Sequence, residues 1–479
     1  MGYSKEKASK TGHQHIIQNV LVQEFLSKCE KIGYDDIPDL EYEDKTTLLQ
    51  DINDKISVDI KWIVTADGGY QEVNINKNFP SHTLCFYNVG ILAFQAKDLF
   101  TLEHQQTIDP DDLGKLKEPR MFSFVVPMQN IKLQGYDFNT SVRKAIFEIF
   151  RDNQLGDKEE DSRNSLLNTI KWLIFREYSD KNGQMQITCP NPYCNERLTF
   201  TRRTDNYLDE NNDFIQCSCG NVAYITDCFE LHDLVDDISG AGKIASYIMS
   251  AFEMVLLLCM FRFFMENNSQ KTLSEILFIK DGSLALFSRL DDFAFKVVRP
   301  FMQFMYEKSL RENVSYINFV GLDKSGIFVE HLKNTESKIY NIYKTSSVVL
   351  PDLKYIEHFI VGKSTESVFG ENTYFGIKIF VKKDENLSFV LDVAVPFGLD
   401  TAYKDYIKSP KISDFLCLKS ILEILFKLKC DLYQNSTPMA FVPIALINKL
   451  VSISNVPSRK ILTIFSKDKI QQLGTSNAK

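Results

Sequence analysis

The chain has 479 residues, 44% of them hydrophobic and 25% charged, enough to bury a sizeable core in one large domain with an insertion or in two domains. A formal charge of -8 excludes a surface that acts as a general polycation, so any binding to DNA has to rest on a local basic patch, on metal ions or on a partner. The polar start "MGYSKEKASK" has no apolar stretch of the secretory kind, and Glu6 stands where a myristoylation signal needs Ser or Thr, which predicts a cytoplasmic protein. In that setting ten cysteines predict buried thiols or metal ligands rather than a disulfide framework.

In chain order, "HIIQNVLVQEFLSKCEKI" predicts an amphipathic helix, followed by an acidic loop with room for a second short helix. The segment "SVDIKWIVTADGGYQEVNI" is strand-like on both sides of Asp67-Gly68-Gly69, and "HTLCFYNVGILAF" and "MFSFVVPM" extend the same sheet. From Ser141 the pattern turns helical, with "SVRKAIFEIF" and "SRNSLLNTIKWLIFREY" separated by the charged turn "RDNQLGDKEED". Polar linkers at 155–163 and 204–213 bracket or sit inside a cysteine-bearing module that runs from Gly183 to Thr226.

In "ITCPNPYCNERLTF" and "DFIQCSCGNVAYI", Cys189 and Cys194 occupy one tight turn while Cys217 and Cys219 occupy another. Two such knuckles can supply four thiolates to a tetrahedral zinc ion, with reduced thiols in a small core as the alternative. Four sulfur ligands leave no open position, so the zinc would be structural. Arg197, Arg202 and Arg203 would then either face a phosphate backbone or form a solvated surface.

The run from Ile244 to Met265 is long enough to cross a bilayer, but Glu253 lies in its middle and Arg262 follows nine residues later on the opposite side of a helix. A carboxylate at the centre of a membrane costs about 2.5 to 3.5 kcal/mol. The segment therefore predicts a buried helix of a soluble domain, and Glu253 is left needing an explanation. Beyond it, strands are expected at "ILFIKDGSLALF", "YINFVGLDKSGIFVEHL", "YFGIKIFV" and "LSFVLDVAVP", and helices at "SDFLCLKSILEILFKLKCDLY" and "PIALINKLVSI". The class is mixed α and β, with antiparallel pairs in the sheet.

Asp67, Glu253 and Asp281 share one property: each is an acid embedded in, or ending, an apolar segment. Asp-Gly alone predicts a hairpin corner, because the pair accepts the positive φ of a tight turn. A buried helical acid 28 residues before the second Asp-Gly has no place in that reading. Carboxylates gathered in a partly buried site are usually compensated by a divalent cation, and oxygen ligands suit Mg²⁺ or Mn²⁺.

The ordered set "VTADGGYQEV", "SAFEMVLLL", "FIKDGSLALF" and "VGLDKSGIFV" resembles the NurA nucleases, partners of hexameric HerA-type DNA-translocating ATPases, and "AYITDCFELHDLVDD" resembles bacterial members with a cysteine-rich insertion. The resemblance implies an RNase H-like mixed sheet with flanking helices and an inserted zinc-ribbon-like module. It also implies a dimer that depends on Mn²⁺ or Mg²⁺ and degrades DNA in repair or antiphage defence. Residues 1–150 would hold the N-terminal helices and the first part of the nuclease core, 151–240 the helical and zinc-ribbon-like insertion, and 241–479 the rest of the core.

Carried over by motif, Asp67, Glu253 and Asp281 are the expected metal-binding acids, and Lys324 would lie near the scissile phosphate or be a plain strand-end lysine. The family pattern has a histidine in a C-terminal P-x-x-L-x-H motif, where "PIALINKLVSI" puts Asn448, and the last histidine of the chain is His358. Asparagine can bind through its carbonyl but cannot exchange a proton as imidazole does, which leaves either an altered nuclease or a binding protein of the same fold. Asp392 is a further candidate acid or a core-edge residue, and His232 and Asp227 are expected to be structural.

Overall fold

The computed structural model describes residues 12–30, 45–75, 78–98, 119–156, 164–342, 346–363, 367–429, 441–453 and 457–476. The acidic loop with its second short helix, expected within 31–44, and most of the polar linker at 155–163 lie outside these residues.

Nine strands form one mixed sheet: β1 (Thr46–Leu48), β2 (Trp62–Asn74), β3 (Thr83–Gln95), β4 (Arg120–Gln129), β9 (Ile276–Asp281), β10 (Phe319–Asp323), β11 (Ser347–Val349), β12 (Gly376–Asp384) and β13 (Leu387–Ala394). Their order is β1-β11-β12-β13-β10-β9-β2-β3-β4. The pairs β2 with β9 and β9 with β10 are parallel, and every other neighbouring pair is antiparallel. In β9 every residue from Ile276 to Lys280 is buried, and β13 is buried throughout. That is why these strands read as continuous apolar runs rather than as alternating ones.

Parallel neighbours need long crossovers. The one from β4 to β9 carries helices α3 (Phe138–Asp152), α4 (Leu166–Ile174) and α5 (Ala245–Glu266), with α1 (Gly12–Ile17) and α2 (Val20–Ser27) preceding the sheet. The one from β9 to β10 carries α6 (Arg299–Glu312). Between α4 and α5 lie two small hairpins, β5 (Gln184–Thr188) with β6 (Arg197–Thr201) and β7 (Phe214–Gln216) with β8 (Val222–Tyr224). The other long helices of the described residues are α7 (Ile327–Ile342), α8 (Leu418–Lys427), α9 (Val442–Val451) and α10 (Ser458–Ser476).

Helix α5 is the core helix. Gly242–Glu266 is long and apolar enough to cross a membrane, but 72% of its most apolar window is buried inside the fold. Arg262, only 1% exposed, is held there by Glu266 at 3.0 Å, the Thr169 hydroxyl at 3.2 Å and the Ser165 carbonyl at 3.4 Å. Glu253 gains nothing from Arg262, in keeping with their opposite positions on the helix.

Two expectations are corrected. Asp67-Gly68-Gly69 is not a corner: it lies inside the 13-residue strand β2, paired with Gly90, Val89 and Asn88 of β3. "SGIFVEHL" enters a helix at Ile327, not a strand, and buries Phe328, Val329 and Leu332 where α7 packs on β12 and β13. Asp281-Gly282 does turn the chain, with Gly282 at φ +85°, a region that glycine adopts without strain.

Candidate active site

The parallel pairing of β2 with β9 ends at Ala66 and Lys280, so Asp67 and Asp281 are the next residues on the two strands. There β2 continues along β3 while β9 turns away at Gly282, which sets both acids at the carboxyl ends of parallel strands, where α/β sheets bind ligands.

Successive residues of β2 face opposite sides of the sheet. A β-carbon on Gly69 would meet the Val451 carbonyl of α9 at 2.8 Å, and one on Gly90, the partner of Asp67, would meet Ile447 of α9 at 2.9 Å. Asp67 therefore shares the α9 face. So does Asp281, whose Oδ2 accepts from Asn448 Nδ2 at 3.5 Å.

Gly68 faces α5, and a β-carbon there would lie 2.9 Å from Glu253 Oε1 and 3.0 Å from Met249. Glu253 thus reaches the same point of the sheet from the opposite face, through the space that glycine leaves. Lys280, 8% exposed, accompanies it on that side and donates to the Asp281 carbonyl at 3.1 Å.

Asp67 is 7% exposed; its Oδ1 accepts from the Gly68 amide at 2.8 Å, while its Oδ2 is buried without a hydrogen-bond partner. Burial, then the neighbouring Asp281, push its carboxyl up to about 6. Glu253 Oε1 is likewise buried and unpartnered. Burial pushes Glu253 up to about 8; Lys280 opposes the rise, and Asp67 and Asp281 add to it.

Two orphaned carboxylate oxygens among three mutually repelling acids are the donor chemistry of a hard divalent cation. The acids are not drawn together as ligands: among the described residues, the four cysteines are the set of His, Cys, Asp and Glu ligand atoms that all lie within 4.8 Å of one another. Asp281 is instead engaged by Lys324, whose Nζ is 2.5 Å from Oδ2.

Next to these acids is a buried network that the sequence did not reveal. Lys378 of β12 donates to Asp323, to Asp392 at 2.9 Å and to Ser283 at 3.0 Å. The second Asp392 oxygen accepts from the Leu284 amide at 2.8 Å, and Ser283 donates to Asp323 at 2.7 Å. Asp392 is fully enclosed with both oxygens in use, so it braces the 282–284 turn and leaves the ligand role to the other acids.

In the cysteine module, Cys189 Sγ lies 3.7 Å from Cys219 Sγ and Cys194 Sγ lies 3.6 Å from Cys217 Sγ. A tetrahedron with Zn–S bonds of about 2.3 Å has sulfur separations of roughly 3.8 Å, so the four thiols fit a zinc ion. Arg202 is committed to Glu177 at 3.0 Å and Arg203 reaches the Phe214 carbonyl at 3.4 Å; Arg197 is exposed. Asp227 forms a buried two-point pair with Arg143 of α3, at 2.6 and 3.0 Å, and His232 stands 3.9 Å from the same carboxylate, so both are part of the scaffold.

A family model for the NurA domain matches residues 62–453, most of the chain. No curated protein matches it. The NurA nuclease from Sulfolobus solfataricus overlaps it across 88% of this chain and 89% of that one, at 8% identity and a TM-score of 0.28. A second NurA crystal structure overlaps across 95% and 96%, at 11% identity and a TM-score of 0.25. Likenesses this distant transfer no residue role.

Proposed function

The chain belongs to the NurA family, and from that premise we propose that it is a divalent-metal-dependent nuclease hydrolysing phosphodiester bonds in DNA. The observation that carries this reading is the pair of buried, unpartnered oxygens, Asp67 Oδ2 and Glu253 Oε1, at the carboxyl end of two parallel strands. The order β4-β3-β2-β9-β10, three antiparallel strands followed by two parallel ones, supports an RNase H-like core.

Asp67, Glu253 and Asp281 would hold Mn²⁺ or Mg²⁺. Bound there, the ion supplies charge for the reacting phosphate oxygens and a more acidic water. Lys324 is poised to exchange Asp281 for a phosphate oxygen, freeing that carboxylate as a ligand. Lys280 holds positive charge beside Glu253 and steadies its ionised form. Asn448 orients Asp281 through its amide but moves no proton.

Purified protein is expected to cut DNA with Mn²⁺ or Mg²⁺, alone or with its ATPase. Full cleavage by both Asp67→Asn and Asp281→Asn would sink the assignment.

A second reading is an adaptor of the same fold that binds DNA or the ATPase without cutting, favoured by Asn448 at the family's histidine position. It expects unchanged binding and no cleavage with any metal, even with the ATPase present.

The four cysteines would hold a structural Zn²⁺. Residues 151–240 would be an insertion between core segments 1–150 and 241–479, a division supported by a sheet built only from strands outside the middle segment. The working assembly would be a cytoplasmic homodimer under a HerA-like hexameric ATPase, acting in end processing or antiphage defence, away from any membrane. A cavity of about 540 Å³ between the β3–β4 face and α10, with Ile461 and Phe465 more than half exposed, supports a protein interface there.

A further inference from the structure

A cavity of about 680 Å³ lies among the turn after α4, the start of α6 and the 399–404 loop, and no residue of the carboxylate site lines it. Its walls carry Arg176, Lys181, Lys296, Arg299 and Lys404 against Glu371 and Asp400, a positive surplus in a chain of net charge -8. Lys296 is answered by Asp292, and Lys404 stands 4.0 Å from Glu371. Arg176, Lys181 and Arg299 have no acid within ion-pair distance among the described residues.

Arg299 is the unusual member. It is 3% exposed, and its Nε and Nη2 donate to the Tyr374 carbonyl, the former at 2.8 Å, with Gly370 O 3.4 Å from Nη2. Its guanidinium lies against the rings of Tyr403, 4.7 Å to the centroid, and Phe295, 5.3 Å. Carbonyls and rings orient this cation, and Glu371, beyond ion-pair distance, answers it only in part. Burial pushes it down to about 10, so it is still charged at neutral pH. Buried charges are ordinarily paired, and Nη1, which makes no hydrogen bond among the described residues, is left for an anion in the cavity.

The second feature is Phe295, 43% exposed on the same wall. An exposed aromatic side chain beside three cations that lack an ion-paired acid combines base stacking with phosphate binding. The volume lies in the range of small-molecule sites.

We propose that this cavity binds a nucleotide, its phosphate held by Arg176, Lys181 and Arg299 and its base stacked on Phe295. A free nucleotide and the phosphorylated terminal nucleotide of a DNA strand present the same chemistry.

Titration calorimetry of the full chain, without added divalent metal, tests this with dAMP, deoxyadenosine, inorganic pyrophosphate and a 5′-phosphorylated 12-mer. Expected results are binding of dAMP but not of deoxyadenosine, about tenfold or greater weakening by Arg176→Glu and by Lys181→Glu, and no change in Asp67→Asn. Phe295→Ala should weaken dAMP and spare pyrophosphate. Arg299→Lys, which keeps the charge, should retain more affinity than Arg299→Leu. If the 12-mer also binds and responds to the same variants, a strand end is a source; binding of dAMP alone makes the free nucleotide the source. No dAMP binding at millimolar concentration, dAMP binding that ignores Arg176→Glu and Lys181→Glu, or binding of the 12-mer alone would each overturn the proposal.

Discussion

Glu253 Oε1 lies 2.9 Å from the point that a β-carbon on Gly68 would occupy, so a helical acid on one face of the sheet and a strand glycine on it are a matched pair. Gly68→Ala adds a methyl that also meets Met249 at 3.0 Å and Val89 at 3.1 Å. A loss of about 1–3 kcal/mol in denaturant unfolding is expected, the usual range for overpacking, with a larger proportional loss of cleavage because Glu253 must retreat. Unchanged cleavage in a folded Gly68→Ala protein would break the link between the two residues.

The acids make metal-free stability depend on pH. Asp67 and Glu253 have folded-state values of about 6 and about 8, above those of an unfolded chain. Groups raised in this way contribute stability that is fully present below the unfolded values and is lost as pH rises through the folded ones. The Tm of metal-free protein should therefore carry a falling component between about pH 4 and about pH 8, and Mn²⁺ should raise Tm more at the upper end. Thermal scans of the Asp67→Asn, Glu253→Gln double variant should lack that component; an identical pH slope would show that the acids are not its source.

Lys324 Nζ lies 2.5 Å from Asp281 Oδ2, so under the proposed function it would compete with a cation for that carboxylate. Lys324→Met should tighten Mn²⁺ binding by a few-fold in calorimetry while lowering the rate of cleavage, since the ligand is freed but the phosphate contact is lost. A parallel fall in both would assign the lysine a purely structural role.

Asn448→His places a proton-exchanging ring beside Asp281, to which the asparagine donates at 3.5 Å. General acid–base assistance of this kind is worth about 10²-fold or more when geometry is right, so an increase in cleavage with a new pH limb near 6 to 7 is expected. A rate below that of the parent at every pH would mean that the asparagine is suited to its place.

Elemental analysis should find one zinc per chain, and Cys194→Ser or strong chelation should lower Tm and open the 183–226 module to proteolysis first. Retention of the metal in Cys194→Ser would dismiss the four-sulfur site.

Much of this was legible in the residues. The four cysteines announce themselves by spacing, and Asp281-Gly282 by turn chemistry. Asp67-Gly68-Gly69 misleads because glycine has two uses: positive φ in a corner and absence of a side chain where a helix comes close. Only the packing of α5 and α9 on opposite faces of β2 distinguishes them. Lys280 and Lys378 were hidden because a lysine in an apolar strand looks like an edge residue until its acids, 14 to 55 positions away for Lys378, are brought alongside. The Arg299 cavity draws on residues from 176 to 404, and no local pattern contains it.

Helix α5 is hooked at two points nine residues apart, Glu253 at the Gly68 window and Arg262 at the Thr169 hydroxyl of α4. Each residue of an α-helix advances the phase by about 100°. A single insertion between the hooks would turn one of them away from its socket, whereas a volume-conserving swap such as Leu257→Met leaves both engaged. The helix is therefore tolerant in composition and intolerant in length, and natural variation along it should consist of substitutions without gaps.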